Sequence, residues 1–163
     1  MISPIDEKVL DFTLQIAEEY YGTTIDQGQI PINKNSFAKL HLYNPDTILY
    51  ESDKDGKVLG WSVAFPTTTE LMDKFLDKKI TEKELFDQTD FSTQIDAIYL
   101  CSTFVLPENR HRGLAKQLLL EAIRRLSKTG KEKLFAWTYS QDGGYLIKSL
   151  EKYLSRKIRT RNN

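Results

Sequence analysis

The sequence predicts an α/β (α+β) fold, a central mixed sheet flanked by helices, and three observations carry that expectation. Residues 95–106, IDAIYLCSTFVL, are the longest β-compatible run and are apolar at nearly every position, as a strand buried on both faces must be. A helical pattern at 114–128 and a second β-run at 134–139, LFAWTY, follow it, so the unit 97–139 reads as two parallel strands joined by a right-handed crossover helix. Two earlier β-runs, 47–52 (TILYES) and 57–66 (KVLGWSVAFP), are joined by Asp53-Lys54-Asp55-Gly56 and read as an antiparallel hairpin.

Each element has a local reason, beginning at the N-terminus. Ser3 as cap and Pro4 in the first turn predict a first helix, with Val9, Phe12, Leu14, Ile16, Ala17 and Tyr20 near helical spacing and Tyr21-Gly22 ending it. A second helix is expected over 36–43, closed by Asn44-Pro45. The Asp-x-Asp-Gly fragment lacks the remaining ligands of a calcium loop and is a turn. Residues 67–95 read as a charged helical insertion between strands, in which Leu71, Phe75 and Leu76 share a face and Thr81 with Glu84 forms a capping box before Leu85-Phe86. Pro107 stops the long strand. The next helix carries apolar residues at 114, 115, 118, 119, 122, 123 and 126, and Thr129-Gly130 ends it. After Asp142-Gly143-Gly144 a last helix is expected over about 145–157.

Composition bounds the function. With 163 residues, 40% hydrophobic and 28% charged, the chain fits one domain with a real core. It has no apolar run of about 18 residues, no basic leader and no lipidation motif, so a cytoplasmic protein without a membrane partner is expected. The single Cys101 excludes an internal disulfide, and its distance in sequence from His41 and His111 gives no zinc spacing and no metal site. Net charge is zero but divided: residues 1–107 hold 9 Lys+Arg against 18 Asp+Glu, and residues 108–163 hold 14 against 5. The basic half favours an anionic ligand, or it is the solvated face of the helices at 114–128 and 145–157. Its basic residues are not interleaved with aromatics and no reading motif is present, so nucleic acid is not an expected partner.

The basic half opens at VLPENRHRGLAKQLL, 105–119, where the long strand gives way to a helix. A helix beginning at Gly113 leaves its first N–H groups unpaired, at the positive end of the peptide dipoles. The missing Cβ of Gly113 lets an anion approach the backbone, and Arg110 and Arg112 add forked donors. The physics is that of a phosphate or pyrophosphate cradle. Neither a G-x-x-x-x-G-K-S/T loop nor a G-x-G-x-x-G turn is present.

The residues that are present, Val105-Leu106-Pro107-Glu108-Asn109-Arg110-His111-Arg112-Gly113-Leu114-Ala115, closely resemble the acetyl-CoA signature of the GNAT superfamily of N-acetyltransferases, Q/R-x-x-G-x-G/A between a central strand and the following helix. Arg110, Gly113 and Ala115 fill its defined positions, and the order of elements agrees over about residues 1–154. The resemblance implies a single GNAT-like domain over 1–163, with the 67–95 insertion and with central strands that splay between 101–105 and 136–140 to admit the acyl thioester. It implies that Phe104, Val105 and Leu106 pair with the pantetheine arm and that the backbone of 111–116 holds the pyrophosphate, which makes Arg110, His111, Arg112, Gly113, Leu114, Ala115 and Lys116 the cofactor-binding residues. The implied reaction is attack of a primary amine, from a small molecule, peptide or protein, on the thioester of acetyl-CoA, with both substrates bound and the Val105 amide as an oxyanion donor.

Across the cleft the sequence departs from the family. The usual N-x-x-A-x-x-L-Y-E-K of the last helix, aligned on Glu151-Lys152, puts Leu150 at the Tyr, Leu146 at the Ala and Gly143 at the Asn. Tyr145 and Tyr139 are the candidates for the thiolate acid, with Tyr153 a third if the helix shifts register. Each of the three also reads as an ordinary packed or surface aromatic. For a base on the long strand, Asp96 stands at its start and Tyr99 where some members place Glu, so deprotonation through water alone stays open. Cys101 reads as a small buried residue, not a nucleophile. Family members usually add two strands after the last helix, whereas only SRKIRTRNN follows Leu154, enough for a short strand or a basic tail. The insertion, with 8 acidic and 4 basic residues between 66 and 96, favours a cationic acceptor. Two readings remain, an N-acetyltransferase and a non-catalytic acyl-CoA-binding or partner-binding module with a degenerate site. A homodimer is compatible with either.

Overall fold

The computed structural model describes residues 1–21 and 26–162. Among these residues six strands make one sheet whose spatial order is the chain order: β1 (Ile2–Pro4), β2 (Ile48–Ser52), β3 (Val58–Thr67), β4 (Ala97–Val105), β5 (Lys133–Trp137) and β6 (Ile158–Arg161). Neighbours from β1 to β4 are antiparallel, while β4–β5 and β5–β6 are parallel, which is the mixed sheet expected. Six α-helices flank it: α1 (Glu7–Tyr21), α2 (Lys34–Tyr43), α3 (Thr69–Leu76), α4 (Glu82–Gln88), α5 (Leu114–Leu126) and α6 (Gln141–Leu154). No helix among the described residues is long and apolar enough to cross a membrane.

The sheet separates two cores, and β4 feeds both by strand alternation. On one face Tyr99 packs with Phe65 of β3, Met72 and Phe75 of α3, Leu85 and Phe86 of α4 and Phe135 of β5. On the other, Ile98 and Leu100 meet Leu118, Leu119, Ala122 and Ile123 of α5 and Ile147 and Leu150 of α6. Burying such side chains is worth roughly 1.5–3 kcal/mol each, so the apolar stripe of α5 read from its spacing is what fixes that helix to the sheet.

Several boundaries differ from expectation, two of them for a clear local reason. Ser3 and Pro4 do not start a helix; they lie in β1, opposite Tyr50 and Leu49, on an edge strand where proline is tolerated. Asp6 opens α1 instead, its carboxylate accepting from Val9 N–H at 2.9 Å. The last helix starts at Gln141, not Tyr145, because Ser140 caps it by accepting from Gly143 N–H at 3.1 Å. Gly143 and Gly144 therefore sit in its first turn. The β-run at 134–139 supplies a strand only over Lys133–Trp137. The expected end of α1 at Tyr21-Gly22 falls partly on Gly22, which lies outside the described residues.

Three local expectations hold. The Thr81–Glu84 capping box is present, and the 53–56 turn is held by Asp55 and Lys57 N–H groups donating to Asp53 Oδ1. The segment after α6 is a strand, β6.

Candidate functional site

The site is organised by one irregularity in β4. Against β3, Ala64 pairs with Leu100 and Val63 with Ser102, so Cys101 is an extra residue in a β-bulge. Against β5 the ladder stops at Leu100↔Ala136, although β4 continues to Val105. A bulge bends its strand and sharpens its twist, which accounts for β4 leaving β5 at that point. Beyond it β5 follows β6, with Thr138 N–H donating to Arg161 O. Leu106 N–H bonds Leu59 O of β3, so by alternation the N–H and C=O of Val105 point away from β3, into the opening. The fit to β3 is close: a Cβ on Gly60 would lie 2.6 Å from Phe104 O.

From the end of β4 a 3-10 turn over Pro107–Asn109 leads to the cradle. His111 and Gly113 are both left-handed, with φ of 61° and 78°. No side chain caps α5, and Gln117 N–H is bonded to Gly113 O, which leaves the amides of 114–116 as the unpaired first donors of the helix. A Cβ on Gly113 would meet nothing within 4 Å, so the space before these amides is open, and the left-handed φ is what requires glycine. Asn109 is buried with no partner for Nδ2 among the described residues. These features fit the pyrophosphate of a coenzyme A.

The side chains of the signature are placed unequally. His111 and Arg112 are exposed at the cradle, and the Lys116 ammonium lies 4.9 Å from the Tyr153 ring. Leu114 and Ala115 form the first turn of α5. Arg110 is turned back: its Nε–H donates to Val105 O at 3.0 Å and its guanidinium stands 5.7 Å from the Phe104 ring. Phe104 stacks on Trp61 at 4.7 Å and meets Tyr20 at 5.1 Å, so an aromatic rim borders this end of the opening, with Leu106 buried behind it.

Below the bulge, on the face away from α5, lies a polar cluster that the sequence does not reveal. Glu82 of α4 is 6% exposed; its Oε1 accepts from Tyr99 O–H at 2.6 Å and from the Cys101 thiol at 3.7 Å, and its Oε2 accepts from Ile30 N–H at 3.0 Å. Burial raises its pKa, against the lowering effect of these donors and of the Arg161 charge. Burial, and then the charge of Glu82, push the Tyr99 hydroxyl and the Cys101 thiol well up, so Cys101 is held as an inert thiol. Gln29 Nε2–H donates to the Tyr139 hydroxyl at 2.8 Å, and the Tyr139 ring lies 4.2 Å from that of Trp137. Burial and the Glu82 charge raise Tyr139 as well. Arg161 covers Phe75 and Trp137 and donates to the carbonyls of Phe75 and Ile80.

The remaining candidates separate. Tyr145 is 59% exposed and its hydroxyl accepts from Gln141 Nε2, Tyr153 is an exposed surface ring, and Leu150 is fully buried in the α5–α6 core. Asp96 accepts from Thr69 N–H at 2.7 Å, at the end of β4 remote from the opening. Glu82 escaped the sequence reading because, beside the Thr81–Glu84 capping box, it looks like another solvated first-turn acid.

Solved structures with this fold include the polyamine N-acetyltransferase of Drosophila melanogaster, at 16% identity and a TM-score of 0.57 over 92% of this chain and 81% of that one. A histone acetyltransferase HPA2 and related acetyltransferase from Corynebacterium glutamicum matches at 16% and 0.55, over 92% and 82%. Naa20 of Chaetomium thermophilum, in complex with a bisubstrate analogue, matches at 10% and 0.50 over 77% of this chain; this chain spans 55% of its length. No curated protein matches the sequence. The acetyltransferase (GNAT) family model matches residues 11–152, the stretch that holds the opening, the cradle and all of the polar cluster except Arg161. The chain belongs to the GNAT acetyltransferase family.

Proposed function

We propose that this protein is a cytoplasmic acetyl-CoA-dependent N-acetyltransferase that passes the acetyl group to a primary amine by direct attack, both substrates being bound together. The observation that carries the reading is the adjacency of an opened β4–β5 ladder to an uncapped α5 with an open, left-handed Gly113. In this reading the amides of 111–116 hold the pyrophosphate, with His111, Arg112 and Lys116 as auxiliary cations. The pantetheine arm lies along the exposed edge of β4, at Phe104, Val105 and Leu106. Val105 N–H, pointing into the opening, receives the developing oxyanion. Holding amine and thioester in near-attack geometry supplies up to about 7–11 kcal/mol of the barrier reduction.

For the proton needed by the leaving thiolate, Tyr139 is the better placed of the two tyrosines. Both rings are exposed, Tyr139 at 48% and Tyr145 at 59%, but Tyr139 lies just beyond β5 with its hydroxyl fixed by Gln29, whereas the hydroxyl of Tyr145 bonds Gln141 on its own helix. A second reading, a module that binds acyl-CoA without turning it over, draws on Leu150, whose full burial removes a tyrosine acid from that turn of α6.

Thiol release from acetyl-CoA with a panel of primary amines separates the two. Turnover is expected; acetyl-CoA binding with no turnover on any amine selects the module. Gly113→Val tests the cradle under both, with acetyl-CoA affinity in calorimetry expected to fall on the order of 100-fold, about 2.7 kcal/mol. Undiminished affinity would move the coenzyme elsewhere.

A further inference from the structure

We propose that Glu82, brought by the 67–95 segment to the base of the β4–β5 opening, is the proton acceptor for the attacking amine; this rests on the acetyltransferase reading. A carboxylate offers about four acceptor positions. Three are taken, by Tyr99 O–H and the Cys101 thiol on Oε1 and by Ile30 N–H on Oε2, so one position on Oε2 remains. The residue keeps 6% of its surface, and in this proposal one water molecule bridges that position and the attacking amine. Two of its partners, Tyr99 and Cys101, lie on β4 at the point where the strand leaves β5. A carboxylate buried with weak donors is a stronger base than an exposed one.

The fixed surroundings keep the geometry. Lys83 N–H donates to Gly28 O and Gln29 to Tyr139, so the 26–30 stretch, α4 and the end of β5 are tied together around the carboxylate. The titratable and charged groups facing it are Tyr99 and Cys101 from β4, Tyr139 from beyond β5 and Arg161 from β6. The Cys101 thiol and the Tyr99 and Tyr139 phenols are shifted up and stay neutral, and burial raises the Glu82 carboxyl, which makes it the proton acceptor of this cluster.

The step balances as follows. The bound ammonium gives one proton through the water to Glu82, and the freed lone pair forms the C–N bond at the thioester carbon. Collapse of the tetrahedral intermediate breaks the C–S bond with its electron pair leaving on sulfur. Tyr139 gives its proton to the thiolate and takes the second proton of the former ammonium in its place, and Glu82 returns its proton to solvent.

The test compares wild type with Glu82→Gln on benzylamine, an ammonium at neutral pH, and on phenylhydrazine, isosteric with it and already neutral. The expected result is a loss in kcat/KM of about 100- to 10,000-fold for benzylamine, near parity for phenylhydrazine, and unchanged acetyl-CoA affinity. Equal losses for both amines would make Glu82 a structural tie and overturn the proposal, as would full activity of the variant on benzylamine. Should the variant fail to fold, wild type alone decides: an acidic limb in the pH profile for benzylamine that is absent for phenylhydrazine supports the proposal, and the same limb for both overturns it. Wild-type protein that releases no thiol with any primary amine removes the acetyltransferase reading and this inference with it, whereas turnover with either adverse pattern removes only the inference.

Discussion

Glu82 and Glu132 expose equally little surface, each 6%, and their pKa values move in opposite directions. Glu132 follows α5 at the back of the crossover, where its Oε1 accepts from Lys128 N–H at 2.7 Å and Thr129 N–H at 2.9 Å and its Oε2 from Ser127 O–H at 2.6 Å. Burial acts to raise it, but these donors outweigh burial and bring it down to about 2. Glu82 accepts one backbone N–H, one phenol and one thiol, and burial wins. Equal exposed surface therefore says little about a carboxylate; the depth of the surrounding protein together with the number and strength of its donors sets the direction of the shift, and Glu82 is both the deeper and the less well supplied.

The comparison is sharpened most by Glu132→Gln, which trades a charge-assisted cap for neutral bonds. It is expected to cost about 1–3 kcal/mol, or roughly 2–12 °C in melting temperature for a chain of this size. The depressed pKa sets the pH window. The contribution is complete above about 4.5 and is lost as the pH falls towards about 2, so melting curves of variant and wild type should converge across that interval.

Ser127→Ala removes one donor to Glu132 and also the acceptor of Gly130 N–H, and is expected to cost about 1 kcal/mol in urea unfolding. Glu82→Gln is expected to change stability by less than about 1 kcal/mol at neutral pH, and its sign with pH is reversed. A raised pKa means that the folded state is penalised for ionising Glu82 as the pH climbs above 4.5, and the variant should lack that decline. A large destabilisation by Glu82→Gln would make the two glutamates alike and break the contrast.

The two halves of the site were unequally legible in the sequence. The cradle is built from contiguous backbone, so a few residues ahead of Gly113 specify it: a proline that ends a strand, a glycine that accepts φ 78°, and an apolar stripe that fixes the helix behind it. Parallel pairing of β4 and β5 followed from the same unit. The polar cluster joins Gln29, Glu82, Tyr99, Cys101, Tyr139 and Arg161, which no local spacing connects. The bulge at Cys101 was equally hidden, since one extra residue in a uniformly apolar strand leaves no break in the pattern. The N-terminal boundary failed for a different reason: Ser3-Pro4 is as good an edge strand as it is a helix start, and pairing with β2 decided it.

The contact of Arg110 with Val105 O bears on the strand edge that the opening leaves inside the sheet. A sheet that parts in the middle carries an unpaired strand edge inside its own outline, and such edges recruit strands from other molecules. Arg110 occupies one of the two backbone groups by which Val105 faces that gap, and sets a positive charge over the Phe104 ring beside it. The arginine thus leaves that stretch of edge with one backbone acceptor fewer and with a charge beside it, the two devices by which natural sheets blunt an edge.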